Sequence, residues 1–320
     1  MPVQHNVALK PYAYYQTGGT CDVLYEPQSL EELAQAVRAI KAARQRYFVL
    51  GGGTNSLVSD RHFAGAVIVC RGLSELTVSG STIVVGAGVD NTIVAKAAFK
   101  HGLAGAAWMN RLPGQIGGTV RMNARCYGGE ISQICTKVTV VTADGAVKTY
   151  ADPKVFRGYK DTIFMDNGDI IAGAELTLTP GNKAEIEAKM NFCESDRVAK
   201  GQFEWPTCGC VFKNDYDVGV SSGMLLDHAG GKTLRHGKIE INPHHANFVY
   251  NKGGTSRDIL EMSFKMREAV FKKFGVWMEY EMEILGDVDD DMKPRLVEAR
   301  PNQMNEALLA PLRAKMSGKL

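Results

Sequence analysis

Gly102–Ser132, GLAGAAWMNRLPGQIGGTVRMNARCYGGEIS, is the stretch that the rest of the chain is organised around. It holds seven glycines: Gly102, Gly105, Gly114, Gly117, Gly118, Gly128 and Gly129. Glycine is costly to order, so this density marks backbone that turns sharply or lets another molecule approach closely. Pro113-Gly114 signals a turn, and Gly117-Gly118 follows it. Successive N–H groups in such a loop form a concavity for phosphate or another anion. The apolar residues lack the spacing of a core helix, so an irregular loop is expected.

A second glycine-rich segment lies upstream. Tyr47-Phe48-Val49-Leu50 reads as a buried strand running straight into Gly51-Gly52-Gly53-Thr54-Asn55-Ser56. This is another backbone cradle, with hydroxyl and amide side chains added. It is neither a Walker loop nor the G-x-G-x-x-G dinucleotide fingerprint. Two cradles suggest a long, multi-phosphate ligand gripped from two sides.

Together, VLGGGTNSLVSD and LPGQIGGTVRMNARCYGGEI resemble the flavin-binding segments of the UDP-N-acetylenolpyruvoylglucosamine reductase family. The likeness continues, in the family's order, through YKDTIF, GCVFKN, HANFVYN and FGVWMEYEMEILG. It covers residues 15–286, and the length fits the subgroup without an extra substrate-covering loop. The central loop departs from the pattern, with Arg125-Cys126 where the family has small residues.

Composition sets the bounds. With 320 residues, 45% apolar and 22% charged, the chain has ample material for a globular core. A net charge of +2 gives no case for nucleic acid or an acidic membrane surface. No apolar run reaches the ~18 residues of a membrane helix. The seven cysteines are irregularly spaced, which reads as reduced thiols in a cytoplasmic protein. Cys208-Gly209-Cys210 is too tight for a zinc ribbon and His244-His245 are adjacent, so no metal is expected.

Helices and strands alternate without regular βαβ spacing, which reads as α+β. Ser29–Glu32 is a capping box opening a helix. Asp90 is placed to cap another, running to about His101. Hairpins are expected around Gly80 and at Asp144-Gly145. Asp169–Leu178 reads as a strand and Lys183–Lys200 as an exposed helix. Ala246–Tyr250 and Met278–Leu285 read as strands, with a helix capped by Thr255 or Ser256 between them. The expected division is a flavin domain over 1–182, a substrate domain over 183–286 and a tail over 287–320. In the tail, Asp289–Asp291 reads as a solvated turn, and Pro311 is expected to cut a short helix over Met304–Leu312.

The resemblance implies a two-part FAD domain of the vanillyl-alcohol-oxidase type, followed by a smaller substrate domain. Its cofactor would be non-covalent FAD, held by Gly51, Gly52, Gly53, Thr54, Asn55, Ser56, Pro113, Gly114, Gly117, Gly118 and Asn123. Its catalytic positions fall on Lys160, Cys210 and Glu281. The family has arginine where Lys160 stands, and lysine keeps the charge but loses the planar fork. Arg157 is close enough in sequence to supply that guanidinium. Cys210 replaces the proton-donating serine. A thiol, with an ordinary pKa of about 8.5, is the stronger acid. Glu281 is taken to assist protonation; on the residues alone, it shares a solvated strand face with Glu279 and Glu283.

Lys213, Asn214, His245 and Asn247 match positions near the UDP-sugar, and Tyr127 reads as packing. The implied reaction is reduction of UDP-N-acetylglucosamine enolpyruvate to UDP-N-acetylmuramate for peptidoglycan, with NADPH as co-substrate. Two other readings stay open: a flavin oxidoreductase acting on another substrate, and a non-catalytic binder of FAD or UDP-sugar. Oligomeric state is not legible in the sequence.

Overall fold

Tyr47–Leu50 forms its expected strand in the computed structural model, which describes residues 1–317. It pairs in parallel with Phe63–Val69, which pairs in parallel with Thr20–Tyr25. Val3–Ala8 completes this four-stranded sheet. A second, antiparallel sheet has the order Val147–Tyr150, Cys135–Val141, Ile170–Thr177, Thr82–Gly86, Leu76–Ser79. Both hairpins form as read. Gly80 and Gly145 take positive φ at the two turns, 57° and 84°.

Contacts divide the chain into two units. The first comprises Met1–Val7, Cys21–Gly52 and Phe63–Arg197; the second comprises Ala8–Thr20, Gly53–His62 and the described residues from Val198 onward. The units are therefore interleaved in sequence, unlike the contiguous division at 182/183. Composition carries no signal for this. Which short segment joins which core is decided by pairing across long sequence separations.

In the first unit, helix α1 (Leu30–Ala42) is capped by Ser29, whose side chain accepts from the Glu32 N–H at 3.2 Å. It buries Leu33, Val37 and Ile40 in one core with Ile68, Ile83 and Val140. Helix α2 (Asn91–Lys100) starts after Asp90, but that side chain makes no cap bond. Asp90 is held instead by a backbone bridge to Gln115. The central stretch contains a short helix the sequence does not announce, α3 (Ile116–Arg121). Its buried Ile116, Thr119 and Val120 follow i, i+3, i+4, but six residues are too few to display a period. Helix α4 (Lys183–Ala199) buries Ile186, Met190, Cys193 and Arg197 along one face. Ile186 and Met190 join the first core, so α4 is not the wholly exposed helix expected.

In the second unit, Ser56–Val58 pairs in parallel with Glu283–Leu285. Leu57 is fully buried there, which is worth about 1.5–3 kcal/mol. Arg235–His236, Ile239–Ile241 and Val249–Asn251 form a three-stranded sheet. Helix α5 (Ser222–His228) is capped by Ser221, and α6 (Ser256–Phe274) by a Thr255/Asp258 capping box. Ile259, Met262, Met266 and Val270 of α6 are buried.

The final strand is shorter than Met278–Leu285. The Val211 carbonyl accepts the N–H groups of both Glu281 (2.9 Å) and Met282 (3.2 Å). Two successive N–H groups on one oxygen break the period-two alternation. Glu279, Glu281 and Glu283 therefore do not share a strand face.

The tail folds into α7 (Lys293–Val297) and α8 (Glu306–Ser317), with Met292, Leu309 and Leu312 buried in the second core. Pro311 lies inside α8 rather than ending it. An interior proline costs about 3 kcal/mol, and burial of Leu309 and Leu312 on either side of it offsets that. The acidic run is ion-paired: Asp289 with Arg61 and Arg257, Asp290 with Lys293, Asp291 with Arg257. Such exposed pairs are screened by solvent and add little to stability. Among the described residues no helix is long and apolar enough to cross a membrane.

Candidate active site

The start of the upstream glycine segment, Gly51, meets Gln115 of the central stretch inside the first unit. A Cβ built on Gly51 would lie 3.5 Å from Gln115 Oε1 and touch nothing nearer. That amide oxygen is buried and has no hydrogen-bond partner among the described residues. A Cβ on Gly118 would meet nothing within 4 Å. Gly118 is thus bare backbone facing open space, and Gly51 has only the Gln115 amide oxygen beside it.

Their neighbours serve the fold. The Gly117 N–H donates to Ala87 O at 2.9 Å, so it is not held ready for an anion as the loop reading implies. Gly114, after Pro113, takes φ 111°, and its carbonyl accepts from the Asn91 N–H at 3.1 Å. Asn123 is buried, with φ 41°. Its Nδ2 donates to Glu130 Oε1 (2.9 Å) and to the Gly158 carbonyl (2.8 Å), so its amide braces the loop. Gly52 and Thr54 are partly buried.

Helix α4 straps both ends of the central loop. Arg197 is buried, and its guanidinium donates to the carbonyls of Asn110 (2.7 Å) and Trp108 (3.1 Å) and to Cys126 Sγ (3.1 Å). It also lies over the Tyr127 ring, 4.7 Å from its centroid. Tyr127 OH donates to Asp196 at 2.7 Å, and Lys189 Nζ donates to the Tyr127 carbonyl at 2.8 Å. Asn110 Nδ2 donates to Met190 O at 3.1 Å. The sequence reading missed Arg197. The available signal was its place on the Ile186, Met190, Cys193 face at helical spacing.

Lys160 stands at the tip of the hairpin Phe156–Gly158/Asp161–Thr162, with φ 53°. A non-glycine residue in this region is strained by about 1–2 kcal/mol. Asn123 and Thr162 tie the hairpin to the central loop, Thr162 Oγ1 donating to Arg121 O at 2.6 Å. Arg157 does not stand ready as a substitute guanidinium. It donates to Asp161 Oδ1 (2.7 Å), Asp166 Oδ2 (2.9 Å) and the Thr162 carbonyl (2.9 Å), bracing the hairpin.

The remaining candidates belong to the second unit. Cys210 forms an antiparallel bridge with Phe248, and the next residue, Val211, accepts from the Glu281 N–H. The chain thus brings Cys210 and Glu281 to one short stretch of backbone. Asn55 of the first cradle joins them, its Nδ2 donating to the Glu281 carbonyl at 3.0 Å. Asn247 holds the other side: its Oδ1 accepts from the Phe212 N–H (3.1 Å) and its Nδ2 donates to the Phe212 carbonyl (2.8 Å). Lys213 pairs with Glu279 at 2.6 Å, and Asn214 Oδ1 accepts from the Ser222 N–H at 2.9 Å. His245 packs on Phe248, ring centroids 4.3 Å apart.

Cys208 differs from Cys210. It is fully enclosed, and its thiol donates to the Ser56 carbonyl at 3.0 Å and to Gly53 O at 3.5 Å. Burial pushes that thiol far above its ordinary value, so it stays protonated. No disulfide joins any of the seven cysteines.

A model of the FAD binding domain matches residues 21–150, and one of the UDP-N-acetylenolpyruvoylglucosamine reductase C-terminal domain matches 201–285. The reductase of Carboxydothermus hydrogenoformans is 34% identical over 288 residues, 89% of this chain and 95% of its own. The chain belongs to the UDP-N-acetylenolpyruvoylglucosamine reductase family. The reductase of Latilactobacillus sakei is 33% identical over 285 residues, 89% of this chain and 93% of its own. The crystal structure of the Thermus caldophilus reductase superposes with a TM-score of 0.75 at 32% identity, covering 89% of this chain and 99% of that one. The architecture is accordingly the reductase family's: an FAD-binding fold of the vanillyl-alcohol-oxidase type with its C-terminal domain, mixed helices and strands throughout.

The residues present fit FAD. Gly51 and Gly118 leave backbone uncovered, and Gln115 presents a buried acceptor that a ligand N–H would satisfy. Two departures from the family pattern also share one neighbourhood. Burial raises the Cys126 thiol above its ordinary value, while the charges of Arg197 and Lys160 both pull it back. Lys160 therefore lies within electrostatic reach of Cys126.

Proposed function

We propose that this chain reduces UDP-N-acetylglucosamine enolpyruvate to UDP-N-acetylmuramate, with NADPH as hydride source, and that it works in the cytoplasm on a precursor of peptidoglycan. The observation that carries this is the convergence of Cys210 and Glu281 on Val211, inside the segment matching the reductase C-terminal domain. FAD, which Gly51, Gly118 and Gln115 would help to hold, would supply the hydride-relay chemistry between nicotinamide and enol ether.

Everything else falls to side chains. Lys160 places a positive charge toward the substrate carboxylate and the enolate-like charge that develops beside it. Its strained backbone sets the direction of that charge, as strain does at many functional sites. Cys210 delivers the proton to the carbon next to the one that receives hydride. Glu281 assists from a backbone position fixed by Val211 and Asn55. Lys213 meets the diphosphate as a point charge, and Asn214, His245 and Asn247 shape the sugar-nucleotide side.

The test is anaerobic NADPH consumption by FAD-loaded protein, with and without the enolpyruvyl sugar. Steady consumption that needs the sugar is expected. Cys210→Ala should lower kcat by about 10²–10⁴, the usual contribution of a positioned proton donor, while Cys210→Ser retains turnover. A single round of flavin reduction, indifferent to the sugar, would overturn the assignment.

A further inference from the structure

Residues 287–317 lie beyond the family's C-terminal domain match, which ends at 285. They do more than cover the second core. The segment Asp215–Ser221 forms a loop pinched at its neck. There, Asn214 Oδ1 accepts from the Ser222 N–H, and Ser222 Oγ donates to the Lys213 carbonyl. The tail touches this loop at 215, 218 and 221. Asn302 Nδ2 donates to Asp215 Oδ2 at 3.2 Å, and Asn302 is itself fixed by the Trp277 N–H at 2.8 Å. Arg313 Nε donates to the Val218 carbonyl at 2.8 Å and is aimed by its ion pair with Glu306. Met316 Sδ accepts from the Ser221 N–H at 3.3 Å. Between these points Val218 and Val220 are buried with Leu309 and Leu312.

We infer that the C-terminal segment is a positioning element for sugar-nucleotide recognition, with Asn302, Arg313 and Met316 as its positioning residues. By fixing the loop it fixes the neck, and the neck carries Lys213 and Asn214. The inference rests on the proposal that those two residues meet the UDP-sugar. A loop closed by two contacts at its neck and held by three along its body has little freedom left to lose on binding, which is how preorganisation raises affinity.

The test uses the full-length, FAD-loaded protein and separates KM from kcat. Asn302→Ala with Arg313→Ala should raise KM for the enolpyruvyl sugar about ten-fold, as for two lost hydrogen bonds of ordinary strength. Anaerobic reduction of the bound flavin by NADPH should be unchanged. Arg300→Ala is the comparator. Arg300 pairs with Glu268 and Glu298 and makes no bond to the loop, so this variant should lower Tm and leave KM alone. An equal KM rise in Arg300→Ala would reduce the tail to general support and overturn the inference. Lys213→Ala separates the two levels. If it raises KM while the double variant does not, the tail inference alone is overturned. If Lys213→Ala leaves KM unchanged, the substrate reading of this segment falls, and the tail's role falls with it. Arg313→Met, which keeps the buried stem, serves if the double variant does not fold.

Discussion

Gly53 and Gly118 belong to segments of similar composition, yet their surroundings are opposite. A Cβ on Gly53 would sit 2.5 Å from the Tyr12 carbonyl oxygen and 3.1 Å from Ala13 Cα, on a backbone with φ 66°. A Cβ on Gly118 would meet nothing within 4 Å, and its φ is ordinary. The first glycine is demanded by the protein's own backbone. The second leaves room that the fold does not use. The segments are also held differently. Asn55 and Ser56 are fixed by backbone pairing to Glu283 and by the Cys208 thiol, whereas the central loop is fixed by side chains of α4, above all Arg197. Glycine density alone thus mixes two signals, and only three-dimensional neighbours separate them.

The largest test of this contrast is Gly53→Ala. Positive φ and a carbonyl within overlap distance together should cost about 3–5 kcal/mol, the range of severe single substitutions. Urea unfolding of the FAD-free protein would measure it. A midpoint equal to wild type would break the claim that Gly53 serves packing.

Next is Arg197→Met, which keeps the buried stem and removes the charge. Two loop carbonyls, Asn110 and Trp108, would lose their shared donor, at about 1–3 kcal/mol for each group left unsatisfied. FAD affinity, followed by flavin fluorescence on folded protein, should fall about 30-fold or more, with Gly53 and its neighbours undisturbed. Lower stability with unchanged FAD affinity would show that α4 merely supports the loop from outside.

What the sequence disclosed follows the same division. Local signals came through: the Ser29 cap (although Glu32 accepts from the Gln28 N–H and so does not close the capping box), the Thr255 cap, the hairpins at Gly80 and Gly145, and the strand Tyr47–Leu50. Each depends on residues within a few positions of one another. The misses are long-range. Asp90 was expected to cap α2, but a bridge to Gln115 fixes that helix start instead. The alternation of glutamates after Met278 was undone by one carbonyl, Val211, far away in sequence. Arg197 read as one more charge on an exposed helix because its partners lie in another segment. Lys160, Cys210 and Glu281 are candidates by resemblance of their motifs. The strain at Lys160 and the shared backbone of Cys210 and Glu281 needed coordinates.

The smallest and most discriminating test is Gly118→Ala. Gly118 lies within α3, where alanine is the better helix former by about 0.8–1 kcal/mol. With open space around the new methyl, the FAD-free protein should gain roughly that amount, a modest rise in Tm. The same methyl would stand where bare backbone now faces outward. If the cofactor packs on that face, FAD affinity should fall about ten-fold even as the empty protein becomes more stable. Opposite signs for the two readouts are the signature of a glycine kept for a ligand, because nothing in the protein's own packing penalises the substitution. A gain in both would mean that Gly118 faces solvent in the loaded protein too. The cofactor contact would then have to be sought at Gly51 and at the buried, unsatisfied Gln115 amide oxygen beside it.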